Sequence, residues 1–187
     1  MDDWILFALI ALPLLGGIFL MFFPSRRHDL IRKYASAVAG ISFLLALYVF
    51  LAYDHEVAGF QLARQFEWLP ILRITFSLAV DGISVLMVLL TGIVFITGAL
   101  VSWNIVQRPK DFFVLYLLLV AGVYGVFLSQ DLFFFFFFYE LAVVPMYLLI
   151  GVWGSTTDFR TFLRTKENGA MKLMLYLVAG SVLVWIA

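Results

Sequence analysis

The chain has 187 residues, 65% of them hydrophobic and 13% charged, with twelve Lys plus Arg balanced by twelve Asp plus Glu. Soluble globular domains run at about 45–50% apolar and about 25% charged, so a lipid bilayer is the expected solvent. Zero net charge gives no pull toward nucleic acid, and the absence of cysteine excludes disulfides, thiolate metal ligands, iron–sulfur ligation and a cysteine nucleophile.

Apolar runs of roughly 20 residues are long enough to cross the hydrocarbon core. The first is 4–23, after the acidic start Met1-Asp2-Asp3. That start lacks the basic residues of a secretory signal, so a retained helix is expected. Pro13 with Gly16 and Gly17 is expected to bend it, and Pro24-Ser25-Arg26-Arg27-His28 closes it. The second run, 34–53, ends at Asp54-His55-Glu56. In the connection 54–82, Ile74, Phe76, Leu78 and Val80 alternate with smaller residues, the period of a half-buried strand. Phe60, Leu62, Phe66 and Trp68 repeat the pattern loosely before Pro70, so a β-hairpin is expected, with an irregular aromatic-anchored loop as the alternative. Further spans follow at 83–103, 112–128, 132–153 and 170–187, the last still apolar where the sequence stops. Between the last two, Asp158 as N-cap with Phe159, Phe162 and Leu163 at helical spacing gives a short interfacial helix, and a solvated loop is the equal alternative. The fold class is therefore an all-α polytopic membrane protein of about six transmembrane helices, the sixth incomplete, with a small external β-hairpin between helices 2 and 3.

Basic residues in short loops orient such a chain. Arg26, Arg27, Arg32 and Lys33 lie in one loop, Arg108 and Lys110 in the next on that side, and Arg160, Arg164 and Lys166 in a third. The alternate loops hold Asp2, Asp3, Asp54, Glu56, Glu67 and Asp131, with Arg64 and Arg73 as their strong bases. The basic side is expected to be cytoplasmic and the N-terminus outside.

One ionisable residue lies well inside an apolar span: Glu140, after Phe133 to Phe138 and Tyr139. Counted from Leu132 it sits roughly 12 Å down the helix, somewhat outside the midpoint of a core about 30 Å thick. A charge there costs roughly 3 kcal/mol on insertion scales, a cost that taking up a proton largely removes, so an acid at this depth is a proton-site candidate by default. Pro145 has no N–H for the carbonyl of Leu141 and crowds it, which is expected to distort the helix beside Glu140 and leave a polar backbone group there. The plainer reading of Glu140 is a permanently protonated helix–helix hydrogen bond. The six consecutive phenylalanines point all round their helix and are given no cofactor role.

Other polar groups have structural readings. Asp81 is expected to cap the third helix, and Thr91, Thr97 and Ser181 to bond carbonyls of their own helices. Gly92, Gly98, Gly122, Gly125 and Gly180 allow close helix approach. Lys172, about one turn into the sixth span, can snorkel to the interface or feed protons from it. There is no Gly-rich phosphate loop and no metal-ligand cluster, and both histidines, His28 and His55, fall in loops. No redox centre, metal or cofactor is expected in this chain.

The stretch Tyr139-Glu140-Leu141-Ala142-Val143-Val144-Pro145-Met146-Tyr147-Leu148-Leu149-Ile150-Gly151-Val152-Trp153-Gly154 resembles the M-type (chain 4) antiporter-like membrane subunit of respiratory complex I. Val80-Asp81-Gly82-Ile83-Ser84 and Gly169-Ala170-Met171-Lys172-Leu173 look like the openings of that family's third and sixth helices. The resemblance implies a proton-translocating part of an NADH–quinone oxidoreductase, with Glu140 matching the family's essential fifth-helix glutamate and pairing with a lysine on a later helix. It implies other membrane subunits of complex I as partners, especially antiporter-like sisters, and a bacterial inner membrane as the expected location. Flavin, iron–sulfur clusters and quinone would belong to the rest of the complex. Members of the family are much longer, so the chain is expected to be an N-terminal fragment that does not pump alone. A multisubunit cation/proton antiporter, a membrane-bound hydrogenase or a truncated structural or assembly protein are the competing readings.

Overall fold

A computed structural model describes the chain except residues 1–3, 26, 55, 58, 70–73, 155, 156, 160, 161, 165 and 187. Among the described residues are six α-helices: α1 Ile5–Leu20, α2 His28–Ala52, α3 Ser84–Val101, α4 Pro109–Leu128, α5 Leu132–Trp153 and α6 Lys166–Ile186. Two antiparallel hairpins interrupt them, β1 Gln61–Leu69 with β2 Ile74–Val80, and β3 Thr157–Phe159 with β4 Phe162–Arg164. Four helices, α2 to α5, are long and apolar enough to cross a membrane, and α1 is a shorter apolar helix of 16 residues.

The helix ends differ from the sequence expectation for local reasons. α2 begins at His28 rather than 34, because Asp29 favours the first turn and Arg32 closes onto the Ile105 carbonyl at 3.0 Å. α4 begins at Pro109, whose missing N–H costs nothing at a first helical position. The 83–103 span ends instead at Val101 and finishes as a 3-10 turn, Ser102–Asn104. α6 starts at Lys166, four residues before 170. The short helix expected after Asp158 is corrected to the β3–β4 hairpin, in which Asp158 pairs with Leu163 and Phe159 with Phe162. So short a helix nucleates poorly, whereas Thr and Phe suit extended backbone. Arg26, His55, Pro70, Arg73, Arg160 and the acidic start fall outside the described residues.

α4 is the central helix, packing against α1, α2, α3 and α5, and it buries Phe113, Leu117, Tyr124 and Leu128 completely. Lipid tails are as apolar as leucine, so tight packing rather than water exclusion must hold these helices together. Small residues set that packing. A Cβ on Gly122 would stand 2.8 Å from the Ala142 nitrogen and 2.9 Å from the Phe138 carbonyl oxygen, and one on Gly125 would fall among the ring atoms of Phe138. Gly92 lies against Ala46, and Gly98 against the Tyr116 hydroxyl, which donates to the Phe95 carbonyl at 3.0 Å. Gly180 has no atom within 4 Å of its added Cβ, so the close approach expected there is absent among the described residues. Pro13 is buried inside an unbroken α1, with Gly16 packed on Val38 and Gly17 on Leu117.

The first hairpin closes one end of the bundle, with Arg64 opposite Leu78 and Phe66 opposite Phe76. β2 is buried on both faces from Ser77 to Val80. The reason is a second neighbour: the α4–α5 corner donates Gln130 N–H to the Ser77 carbonyl at 2.9 Å and bridges Ser129 to Leu78. Phe76 reaches Phe134 at 4.6 Å and Phe7 at 6.4 Å between ring centroids, tying the hairpin to α5 and α1. Asp81 caps α3 as expected: its Oδ1 accepts from Ser84 N–H at 2.7 Å, while Ser84 Oγ accepts from Asp81 N–H at 2.8 Å. The Ser84 backbone N–H, helped by the Ser84 hydroxyl, holds the Asp81 carboxyl below the usual carboxylate range. At the opposite end, Lys110 donates to the Met21 carbonyl at 2.7 Å, Lys166 to Val152 at 2.7 Å and the Trp153 indole to Gln107 at 2.8 Å.

Candidate proton-binding site

Glu140 stands on α5, eight residues after Leu132 opens it. Asp131 fixes that start by accepting the Phe133 N–H at 2.8 Å. The phenylalanines divide by direction as expected of consecutive helical positions: Phe136 and Phe138 are buried, while Phe133 and Phe137 are exposed. Phe138 and Ala142 face the glycines of α4. Glu140 therefore lies off the α4 contact, on a surface left open by the described residues. It lines a shallow groove of about 410 Å³ with Phe133, Phe136, Phe137 and Leu141. That surroundings is apolar apart from the carboxyl.

α6 supplies its polar neighbour. Ser181, 7% exposed, places its hydroxyl 3.0 Å from Glu140 Oε1 and 2.9 Å from the Val178 carbonyl of its own helix. One turn away, Tyr139 donates to the Leu177 carbonyl at 3.4 Å. Ser181 is thus the contact that residue-by-residue reading missed: the expected bond within α6 is present, and Glu140 is added to it. No sequence signal pairs residues 41 positions apart on two apolar helices, and the partnership follows from how α6 lies on α5.

The other candidates take different positions. α5 runs as one continuous helix through Pro145, which is buried and has no N–H to give the Leu141 carbonyl. Lys172 is exposed near the start of α6. Nine residues before Ser181, it is about 13 Å away along the axis and about half a turn round it, so the structure does not bring it to Glu140. Among the described residues no group of His, Cys, Asp and Glu is arranged to hold a metal. Chemically, a carboxyl at mid-helix depth with one hydroxyl partner and an open apolar flank can take up and release a proton, or accept a base delivered from outside these residues.

No protein-family profile matches the chain. It is 37% identical over 180 residues to an NAD(P)H-quinone oxidoreductase chain 4-2 of Synechocystis, covering 96% of this chain and 31% of that protein. It is 36% identical to the chloroplastic chain 4 of Chara vulgaris, covering 96% and 35%. Its fold superposes on a chain of respiratory complex I from Thermus thermophilus with a TM-score of 0.75 at 27% identity, covering 97% of this chain and 33% of that one. An archaeal membrane-bound sulfane sulfur reductase shares the fold alone, with a TM-score of 0.72 at 20% identity. The chain spans about a third of the length of the curated relatives it matches. By sequence over 96% of its length this chain is similar to part of NAD(P)H-quinone oxidoreductase chain 4 proteins, and by fold to part of a chain of respiratory complex I.

Proposed function

We propose that this chain is part of a proton-translocating, antiporter-like membrane subunit of an NADH–quinone oxidoreductase, and that Glu140 is its proton site. The observation that carries the reading is a mid-helix carboxyl on an apolar α5 whose one hydrogen-bond partner among the described residues is the Ser181 hydroxyl. A permanently ionised acid would demand a fixed cation there. A hydroxyl instead supports both protonation states, because it donates as readily as it accepts. Electron transfer takes place in other subunits, which carry the flavin and iron–sulfur clusters, with quinone as the substrate of the whole complex. This chain contributes proton movement and contacts with antiporter-like sisters. A basic group able to approach and leave Glu140 comes from outside these residues, through the open groove.

Orientation belongs to the same proposal. The described bases Arg27, Arg32, Lys33, Arg108, Lys110 and Lys166 gather at the end of the bundle opposite the first hairpin, while the hairpin end holds Asp54, Glu56, Glu67, Asp81 and Asp131 with Arg64 as its described base. That segregation supports a cytoplasmic basic end, an external hairpin and an external N-terminus. A bacterial inner membrane is the setting we assign.

The archaeal reductase means that fold alone does not separate quinone reduction from related membrane complexes. Identity of 36–37% to chain 4 proteins favours the quinone reading over an antiporter or hydrogenase subunit. Purification through a tag on this chain, from membranes of its source, tests the assignment. Co-purification of NAD(P)H-dependent quinone reduction is expected, and recovery of a complex with hydrogenase or sodium-dependent antiport activity instead would overturn it.

A further inference from the structure

We propose that Ser181 is a positioning residue that switches with the protonation of Glu140, its single hydroxyl proton pointing to Val178 in one state and to Glu140 in the other. The inference rests on the assignment of Glu140 as proton site and adds the device that holds it.

A serine hydroxyl carries one donor and two acceptor lone pairs. Here two acceptors compete for that one proton at nearly equal range, Glu140 Oε1 at 3.0 Å and the Val178 carbonyl at 2.9 Å. With Glu140 protonated, both contacts are satisfied at once: the carboxyl O–H donates to Ser181 Oγ, and Ser181 donates to Val178. With Glu140 ionised, the carboxylate only accepts, so the hydroxyl must turn from Val178 toward Oε1. The Val178 carbonyl loses little, since the helical bond from four residues on remains available to it. The proton that leaves Glu140 passes to water or a base on the groove side, and Ser181 itself neither gains nor loses one. The switch is a rotation of one buried hydroxyl about its Cβ–Oγ bond.

Two features make Ser181 suited to this. It is 7% exposed, so bulk water does not compete for its lone pairs. The neighbouring contact between Tyr139 and the Leu177 carbonyl pins the same turns of α5 and α6 together, so the hydroxyl rotates in a fixed frame. Other charged groups stand apart. On α6, Lys166 and Glu167 lie in the first turn and Lys172 on the opposite side from Ser181. On α4, which packs against the far face of α5, Lys110 and Asp111 lie at the helix start. Tyr139, next to Glu140 on α5, is the other titratable group at the contact.

The test uses the assembled complex and difference infrared spectroscopy of the protonated-carboxyl band, assigned to Glu140 by its disappearance in Glu140→Gln. Ser181→Ala is expected to move that band to higher frequency, because the acid loses its acceptor. It should slow proton translocation about threefold to tenfold, the factor one hydrogen bond carries. Ser181→Thr keeps a hydroxyl and is expected to restore band position and rate. A band unmoved in Ser181→Ala overturns the switch. If the alanine variant fails to assemble, Ser181→Cys, a weak donor and acceptor, reads the same shift. Failure of the underlying assignment looks different: Glu140→Gln would then leave pumping intact whatever Ser181 does.

Discussion

Substitution of Gly125 by alanine separates packing from helix propensity with opposite signs. Inside a helix, Gly→Ala normally stabilises by up to about 1 kcal/mol. At Gly125 the new methyl would fall among Cγ and both Cδ atoms of Phe138, closer than real contacts allow. Phe138 is 5% exposed and has the rings of Phe76 and Phe134 beside it, so its ring has little open space into which to retreat. Relief then requires α5 to move off α4, an overpacking cost of about 1–3 kcal/mol that exceeds the propensity gain. Gly180→Ala is the control, because nothing lies within 4 Å of a Cβ there, and it should be neutral or slightly stabilising. Phe138→Ala alone opens a cavity and costs about 3–5 kcal/mol, yet the Gly125 methyl fills part of that space. The double variant should be more stable than the sum of the singles by about 0.5–3 kcal/mol. Denaturant unfolding of the chain in bicelles measures all four. A Gly125→Ala variant at least as stable as the parent, with additive behaviour against Phe138→Ala, would refute the α4–α5 packing described above.

Asp81→Ala removes the oxygen that accepts from Ser84 N–H and should weaken the start of α3, since a lost cap costs about 1 kcal/mol. Its carboxyl is held below its ordinary range, so the stabilisation is complete above the unfolded value near 3.9 and fades as pH falls through the lower folded value. Melting curves of parent and variant should converge only at acid pH. Tyr116→Phe removes the hydroxyl that donates to Phe95 and should destabilise by about 0.5–1.5 kcal/mol in the same unfolding assay. The chain has no cysteine, so single introduced ones report topology directly. Lys33→Cys should be reached by a membrane-impermeant thiol reagent from the cytoplasmic side only, and Glu56→Cys from outside only.

Much of this was legible in the sequence, in proportion to how local the cause is. The 132–153 span matches α5 residue for residue, because Asp131 and Gly154 punctuate it. The first hairpin was readable from the alternation Ile74, Phe76, Leu78, Val80. Its burial on both faces was not, since that depends on the α4–α5 corner docking from a distance. The start of α2 was hidden because hydropathy stops at the charges of 28–33, while helix geometry lets Arg32 turn away and bond to Ile105. The segment after Gly154 offered helical spacing and β-forming residues together, and pairing decided for the second hairpin. Glu140 announced itself by its cost in an apolar span. Ser181 did not, because a serine in a membrane helix ordinarily satisfies itself on its own backbone.

Proton translocation per electron in the assembled complex carrying Glu140→Gln is the most direct measurement. The amide keeps the shape of the side chain and its bond to Ser181 but cannot titrate. Assembly and quinone reduction should persist, while protons moved per NAD(P)H oxidised fall markedly. An unchanged proton-to-electron ratio in a fully assembled Glu140→Gln complex would contradict Glu140 as the proton site.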